Sequence, residues 1–166
     1  MALNLKRLRR ENLGAAIEKA AHYRDLNQPE EAESICLDVL DVESEHQTAW
    51  KLRGLALTDR LRSGQPALLE PALEAFAHLS NEYERTYHLG VAWERAAQAH
   101  LNRSEAHSAV TGFENALGLY EKAEALRPDL PDPLLRWNRC VRMLTTEPSL
   151  RGALLAPPEA HVHLGD

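Results

Sequence analysis

The chain has 166 residues, of which 44% are hydrophobic and 27% charged, and its formal net charge is −6. That length can bury a core sufficient for one domain. The acidic balance argues against a nucleic-acid partner, since such binding depends on neutralising many phosphates with Lys and Arg.

Aromatic residues make up only 5% of the chain, while Ala, Leu and Glu are abundant, so helix is favoured over sheet and the expected class is all-α. Residues 1–11 read as a basic lead-in, with Leu3, Leu5 and Leu8 set among Lys6, Arg7, Arg9 and Arg10. Its leucines are expected to pack on the first helices, an acidic docking surface being the alternative reading. Leu13, Ile17, Ala20, Ala21 and Tyr23 then mark an amphipathic helix over 12–25. A second opens at Pro29 with Glu30 and Glu31, acidic residues at the positive end of the helix dipole. A third restarts at Gln47 and runs to about Asp59. The stretch Arg62-Ser63-Gly64-Gln65-Pro66 lengthens the following turn, a cheap insertion. The fourth helix is expected over 66–79, with Pro71 delaying its start to Glu70 or kinking its first turn.

Next comes a long pair, expected over 82–101 and 105–126 and divided at Leu101-Asn102-Arg103-Ser104. Val110, Phe113, Leu117 and Tyr120 keep helical spacing through its second arm. Arg127-Pro128 stops that arm. Asp132 and Pro133 start a seventh helix running to Leu144, with Asp132 expected to accept a bond from the free amides of its first turn. Residues 147–166 carry no sustained period and read as an irregular tail, with at most one short helical turn at 150–155.

One pair of these residues recurs at a repeat-length interval, and others fall at matching positions within their helices. Ala20 and Gly54 lie 34 residues apart, Trp50 and Gly54 are spaced by four, Leu89-Gly90 is followed by Trp93, and Ala116, Tyr120, Ala123 and Pro128 close the long pair. This pattern resembles the tetratricopeptide repeat (TPR), a helix pair of roughly 34 residues with W-x2-L-G-x2-Y, then A-x3-F, then proline. Arg53 stands where the family has Leu, and Ser44 where it has Pro. The resemblance implies a TPR-like α-solenoid over 12–146, with pairs at about 12–46, 47–80 and 82–128 and a capping helix at 132–145. The third pair is expected to be elongated by about seven residues on each arm, an insertion that keeps each helical face within about 20° of register. Gly54, Gly90 and Ala116 would let neighbouring helices approach closely.

TPR resemblance also implies a concave groove lined by first helices, taking a peptide or helix of another protein. Carried over position by position, the first repeat supplies Ile17, Ala21 and Arg24. The second supplies Lys51, Leu55 and Thr58, and the third Tyr87, Val91 and Arg95. The closing helix supplies Leu135, Arg139 and Arg142. Several are basic, which points to a partner segment with apolar anchors and acidic residues. Asp25, Asp59, Glu84 and Glu94 stand nearby as mixed surface charge. Ile17 and Ala21 replace the lysine and asparagine of repeats that clamp chaperone C-termini, which argues against that subtype.

No phosphate loop, nucleophile elbow or zinc-protease helix occurs in the sequence. Eight scattered histidines suggest no metal site, His161-Val162-His163 offering two ligands where a closed site needs four. His88 beside Tyr87 and Glu84 is the one polar cluster of interest for titration. Cys36 and Cys140 fall within helical apolar patterns and read as small buried hydrophobes, consistent with a reducing compartment. No membrane-length apolar run or signal pattern is present, so the expected location is cytoplasmic. The functional expectation is a non-catalytic, cofactor-free interaction scaffold, with a structural or self-associating subunit, a homo-oligomer, as the alternative.

Overall fold

The computed structural model describes residues 3–156. Among the described residues the fold is all-α, with eight helices and no strand. They are α1 Leu13–Asp25, α2 Pro29–Val42, α3 Gln47–Arg62, α4 Leu69–Ala77, α5 Glu82–Asn102, α6 Ala106–Leu126, α7 Asp132–Thr146 and α8 Pro148–Leu155. None is long and apolar enough to cross a membrane.

Local chemistry sets most of the boundaries. His46 Nδ1 accepts the Ala49 amide at the start of α3 (3.2 Å), and Asn81 Oδ1 accepts the Glu84 amide at the start of α5 (2.9 Å). Each bond satisfies one of the orphan donors of a first turn. Asn27 (φ 58°) and Gly64 (φ 99°) take left-handed backbone after α1 and α3, where an ordinary residue would be strained. The turn between α5 and α6 does the same at Ser104 (φ 62°), and the Glu105 carboxylate accepts from both His100 Nδ1 and Arg103 Nε across it.

Each helix packs on the next, and α1 also meets α3, as α3 meets α5 and α6 meets α8. Small residues hold the layers together. A methyl placed on Gly54 would lie 2.4 Å from the Phe76 ring, and one on Gly90 would lie 2.8 Å from the Tyr120 ring. Gly54 and Gly90 are therefore wedged between helices, as their spacing implies. The long pair meets through Ala97 on α5 and Ala109, Gly112 and Ala116 on α6, while Ala92 on another side of α5 joins the core of α3 and α4.

Several expectations need correcting. The segment after Glu147 is not irregular throughout: Pro148 occupies a first helical position, and α8 sends Leu150 into the core formed by Phe113, Leu144 and Cys140. Consequently α7 is not a lone cap but packs on both α6 and α8. The fourth helix begins at Leu69, one residue before Glu70, with Pro71 inside its first turn and a 3-10 turn, Pro66–Leu68, ahead of it. The third helix continues three residues past Asp59, and Asp132 sits inside the first turn of α7 with no side-chain capping bond. In the lead-in only Leu8 packs, against Leu13, Val39 and Ala49, whereas Leu3 and Leu5 are exposed. His161 and His163 lie outside the described residues.

Candidate functional site: the face of α1, α3, α5 and α7

The odd-numbered helices share a polar face tied together by ion pairs. Arg24 of α1 donates to Asp59 of α3 at 2.7 Å, and Lys51 of α3 donates to Glu84 of α5 at 2.9 Å. Between α5 and α7 the link is a network centred on Glu94, whose side chain is 1% exposed. Its carboxylate accepts from the Tyr120 hydroxyl of α6 (2.6 Å), from Arg136 Nη1 (3.1 Å) and from Arg139 Nη1 (2.7 Å). Arg136 also donates through Nε to the Tyr87 hydroxyl at 3.1 Å.

A carboxylate removed from water this far is tolerable only with its lone pairs occupied by charged or hydroxyl donors, and here three donors converge on it. Burial, followed by the adjoining Glu94 charge, pushes the Tyr120 hydroxyl well above its ordinary range, so it stays a donor. Burial alone would lower the Arg136 guanidinium, but Glu94 and Tyr120 outweigh it and hold it firmly charged.

The groove positions therefore divide. Thr58 and Val91 are corrections: both are buried and unavailable to a partner. Thr58 turns its hydroxyl to the Leu55 carbonyl at 2.7 Å, and Val91 packs into the core with Phe113 and Tyr120. Ile17, Ala21 and Leu55 are half-buried. Ile17 reaches two core clusters at once. Tyr87 is half-buried, with its ring stacked on Tyr83 at 5.9 Å between centroids. Leu135, Arg139 and Arg142 are exposed.

Three of the basic positions, Arg24, Lys51 and Arg139, are already neutralised within the chain. Arg95 and Arg142 form no ion pair among the described residues. Arg95 is half-buried, and burial together with the nearby Arg136 and Arg62 charges works against its protonated form, while Glu94 and Asp59 favour it. An arriving anion would favour the protonated form there.

Glu94 is a further correction: it is buried rather than part of the mixed surface charge. Its signal lay in the sequence: it falls three and four residues from Val91 and Gly90 and three before Ala97, on the buried stripe of α5. His88 is buried as well. Its Nδ1 donates to the Glu84 carbonyl at 2.7 Å, its ring lies 5.2 Å from Phe76, and burial lowers its pKa. Burial also pushes both thiols, Cys36 and Cys140, up to about 12, which removes them as nucleophiles at neutral pH. Among the described residues no group of three or more His, Cys, Asp or Glu side chains is placed to hold a metal ion.

A scan against protein-family models found no matching family, and searches of curated proteins and of solved structures found no similar protein.

Proposed function

We propose that the chain is a TPR-like helical-repeat scaffold that binds a segment of a partner protein along the face of α1, α3, α5 and α7, without catalysis. The observation that carries this reading is Arg95, a half-buried guanidinium set near two others with no ion pair among the described residues. Arg142 and Leu135 lie exposed on the same side of α7. A partner segment offering an acidic side chain to Arg95 and an apolar one to Leu135 would be complementary. The wedged glycines and the consecutive helix packing support the repeat reading. Two buried, unpaired thiols suit a cytoplasmic setting.

Affinity capture from the native cell, followed by calorimetry on the recovered partner, tests the proposal. The variant pair is Arg95→Glu with Arg142→Glu, because Arg139 also stabilises Glu94 and reversing it would perturb folding. Binding weakened by about tenfold or more, with a marked salt dependence, is expected. Unchanged affinity would refute the charged-face reading. A second reading, a structural subunit of a larger assembly, draws on exposed leucines at the α7–α8 end, Leu134, Leu135, Leu154 and Leu155.

A further inference from the structure

On the even-numbered side of the molecule α4 is too short to cover its neighbours. It has nine residues, against twenty-one each for α5 and α6. The mismatch leaves an open groove of about 610 Å³. Leu89 and Trp93 of α5 line it together with Leu73 and Ala77 of α4 and Leu119 of α6. Glu70 and Glu74, one turn apart on α4, complete the lining; both are exposed, and neither forms an ion pair among the described residues.

The opposite chemistry is displayed on residues 3–9, which form no regular secondary structure. Leu3 and Leu5 are 85% and 96% exposed. Lys6 forms no ion pair among the described residues, and Arg7 makes only an exposed one with Asp41 at 3.8 Å. In an extended segment, residues two apart lie on one side about 6.6 Å from each other. That matches the roughly 5–6 Å between side chains one turn apart on the groove walls, Leu73 with Ala77 and Leu89 with Trp93.

We propose that the basic arm, residues 3–7, of one copy docks in the α4–α6 groove of a second copy. Leu3 and Leu5 occupy the apolar floor, Arg7 on the same side of the extended arm meets Glu70 or Glu74, and Lys6 adds positive charge from the other side. A second copy is the occupant because the base of the arm is tied to α1 and α2. Leu8 packs there, and Arg10 Nη2 donates to the Val42 carbonyl at 3.4 Å. Since α1 and α2 pack on α3 while the groove is built from α4, α5 and α6, α3 stands between the base of the arm and the groove of the same chain. Two arms exchanged reciprocally close a twofold dimer with no unfilled groove. This surface is independent of the face proposed for a partner protein.

Sedimentation equilibrium of the full chain over a wide concentration range tests the inference. A reversible dimer is expected. Leu3→Ser with Leu5→Ser should weaken it by about tenfold or more. Ala77→Arg, which fills the groove and repels the arm, should do the same, and both variants should retain wild-type circular dichroism. A synthetic peptide of residues 3–10 should dissociate the wild-type dimer. The charge-reversed groove, Glu70→Lys with Glu74→Lys, should regain dimer only with Lys6→Glu and Arg7→Glu in the arm. A monomer at every concentration up to about 1 mM would overturn the proposal. So would a dimer indifferent to the arm substitutions.

Discussion

Two glycines of α6 give the same substitution opposite outcomes. At Gly118 nothing lies within 4 Å of the position a methyl would take, so Gly118→Ala should gain the full helix-propensity difference, about 1 kcal/mol. At Gly112 the methyl would sit 2.8 Å from the Ala97 Cβ, 3.1 Å from its Cα and 3.2 Å from its amide nitrogen. Carbon atoms prefer about 3.5–4.0 Å, and Ala97 has no rotamer to yield, so α5 itself must retreat from α6. Overpacking of this kind costs about 1–3 kcal/mol. Because propensity contributes equally to both variants, it cancels in their difference, which isolates the packing cost. Urea unfolding followed by circular dichroism should place Gly118→Ala above the parent and Gly112→Ala below Gly118→Ala by about 1–3 kcal/mol, with equal slopes. Equal stabilisation by both substitutions would mean that α5 and α6 are not in close alanine-on-glycine contact.

Tyr120→Phe keeps the ring against Gly90 but removes a donor from the buried Glu94 carboxylate, and should cost about 1.5–3 kcal/mol in the same assay. Glu94→Ala should cost more, about 3–5 kcal/mol, by stranding the Tyr120 hydroxyl and releasing Arg136 and Arg139; a loss below 1 kcal/mol would show that the carboxylate is not held as described. Leu150→Ala, fully buried on α8, should cost about 2–5 kcal/mol, whereas a free tail would give no measurable change. His88 titrates below its ordinary value in the fold, so the unfolded chain binds the extra proton first and stability is complete above the unfolded pKa near 6.5. The share due to His88 should fall away as pH drops from about 7 toward 5. Chemical unfolding of His88→Gln should show a shallower acid dependence than the parent, and identical slopes would refute the assignment.

What the sequence made legible was local periodicity and steric need. The close approach at Gly54 and Gly90 could be anticipated because it demands a missing side chain at one point on each helix, whereas their partners, Phe76 and Tyr120, are seen only in the fold. The length of α5 and α6, 21 residues each, was legible for a related reason: Val110, Phe113, Leu117 and Tyr120 keep one helical stripe in phase through the second arm. The same periodicity does not say which neighbour a stripe meets. The TPR resemblance puts Val91 on an open face, yet it turns into the core shared by α6, α7 and α8. Residues 148–155 show no period because an eight-residue helix is too short to display one, and the proline at its first position, Pro148, is equally common after helix ends. Glu94 hid behind its charge: only the converging donors from α6 and α7 explain its burial, and they lie 26 to 45 residues away.

Tyr120 is where the steric and electrostatic parts of the fold meet. Its ring fills the notch at Gly90, which fixes how closely α5 and α6 approach. Its hydroxyl then reaches Glu94, and that carboxylate holds Arg136 and Arg139 of α7. The position of α7 relative to α5 therefore depends on long side chains converging on one buried anion as well as on apolar packing. Arg95 follows Glu94 in sequence, so the same anion that anchors α7 also biases the guanidinium proposed to receive a partner's acid. Weakening the Glu94 network should then change partner affinity even though Glu94 itself, at 1% exposure, is out of reach of any partner. A Tyr120→Phe chain that loses stability but binds its partner as before would separate the two roles and leave Arg95 acting alone.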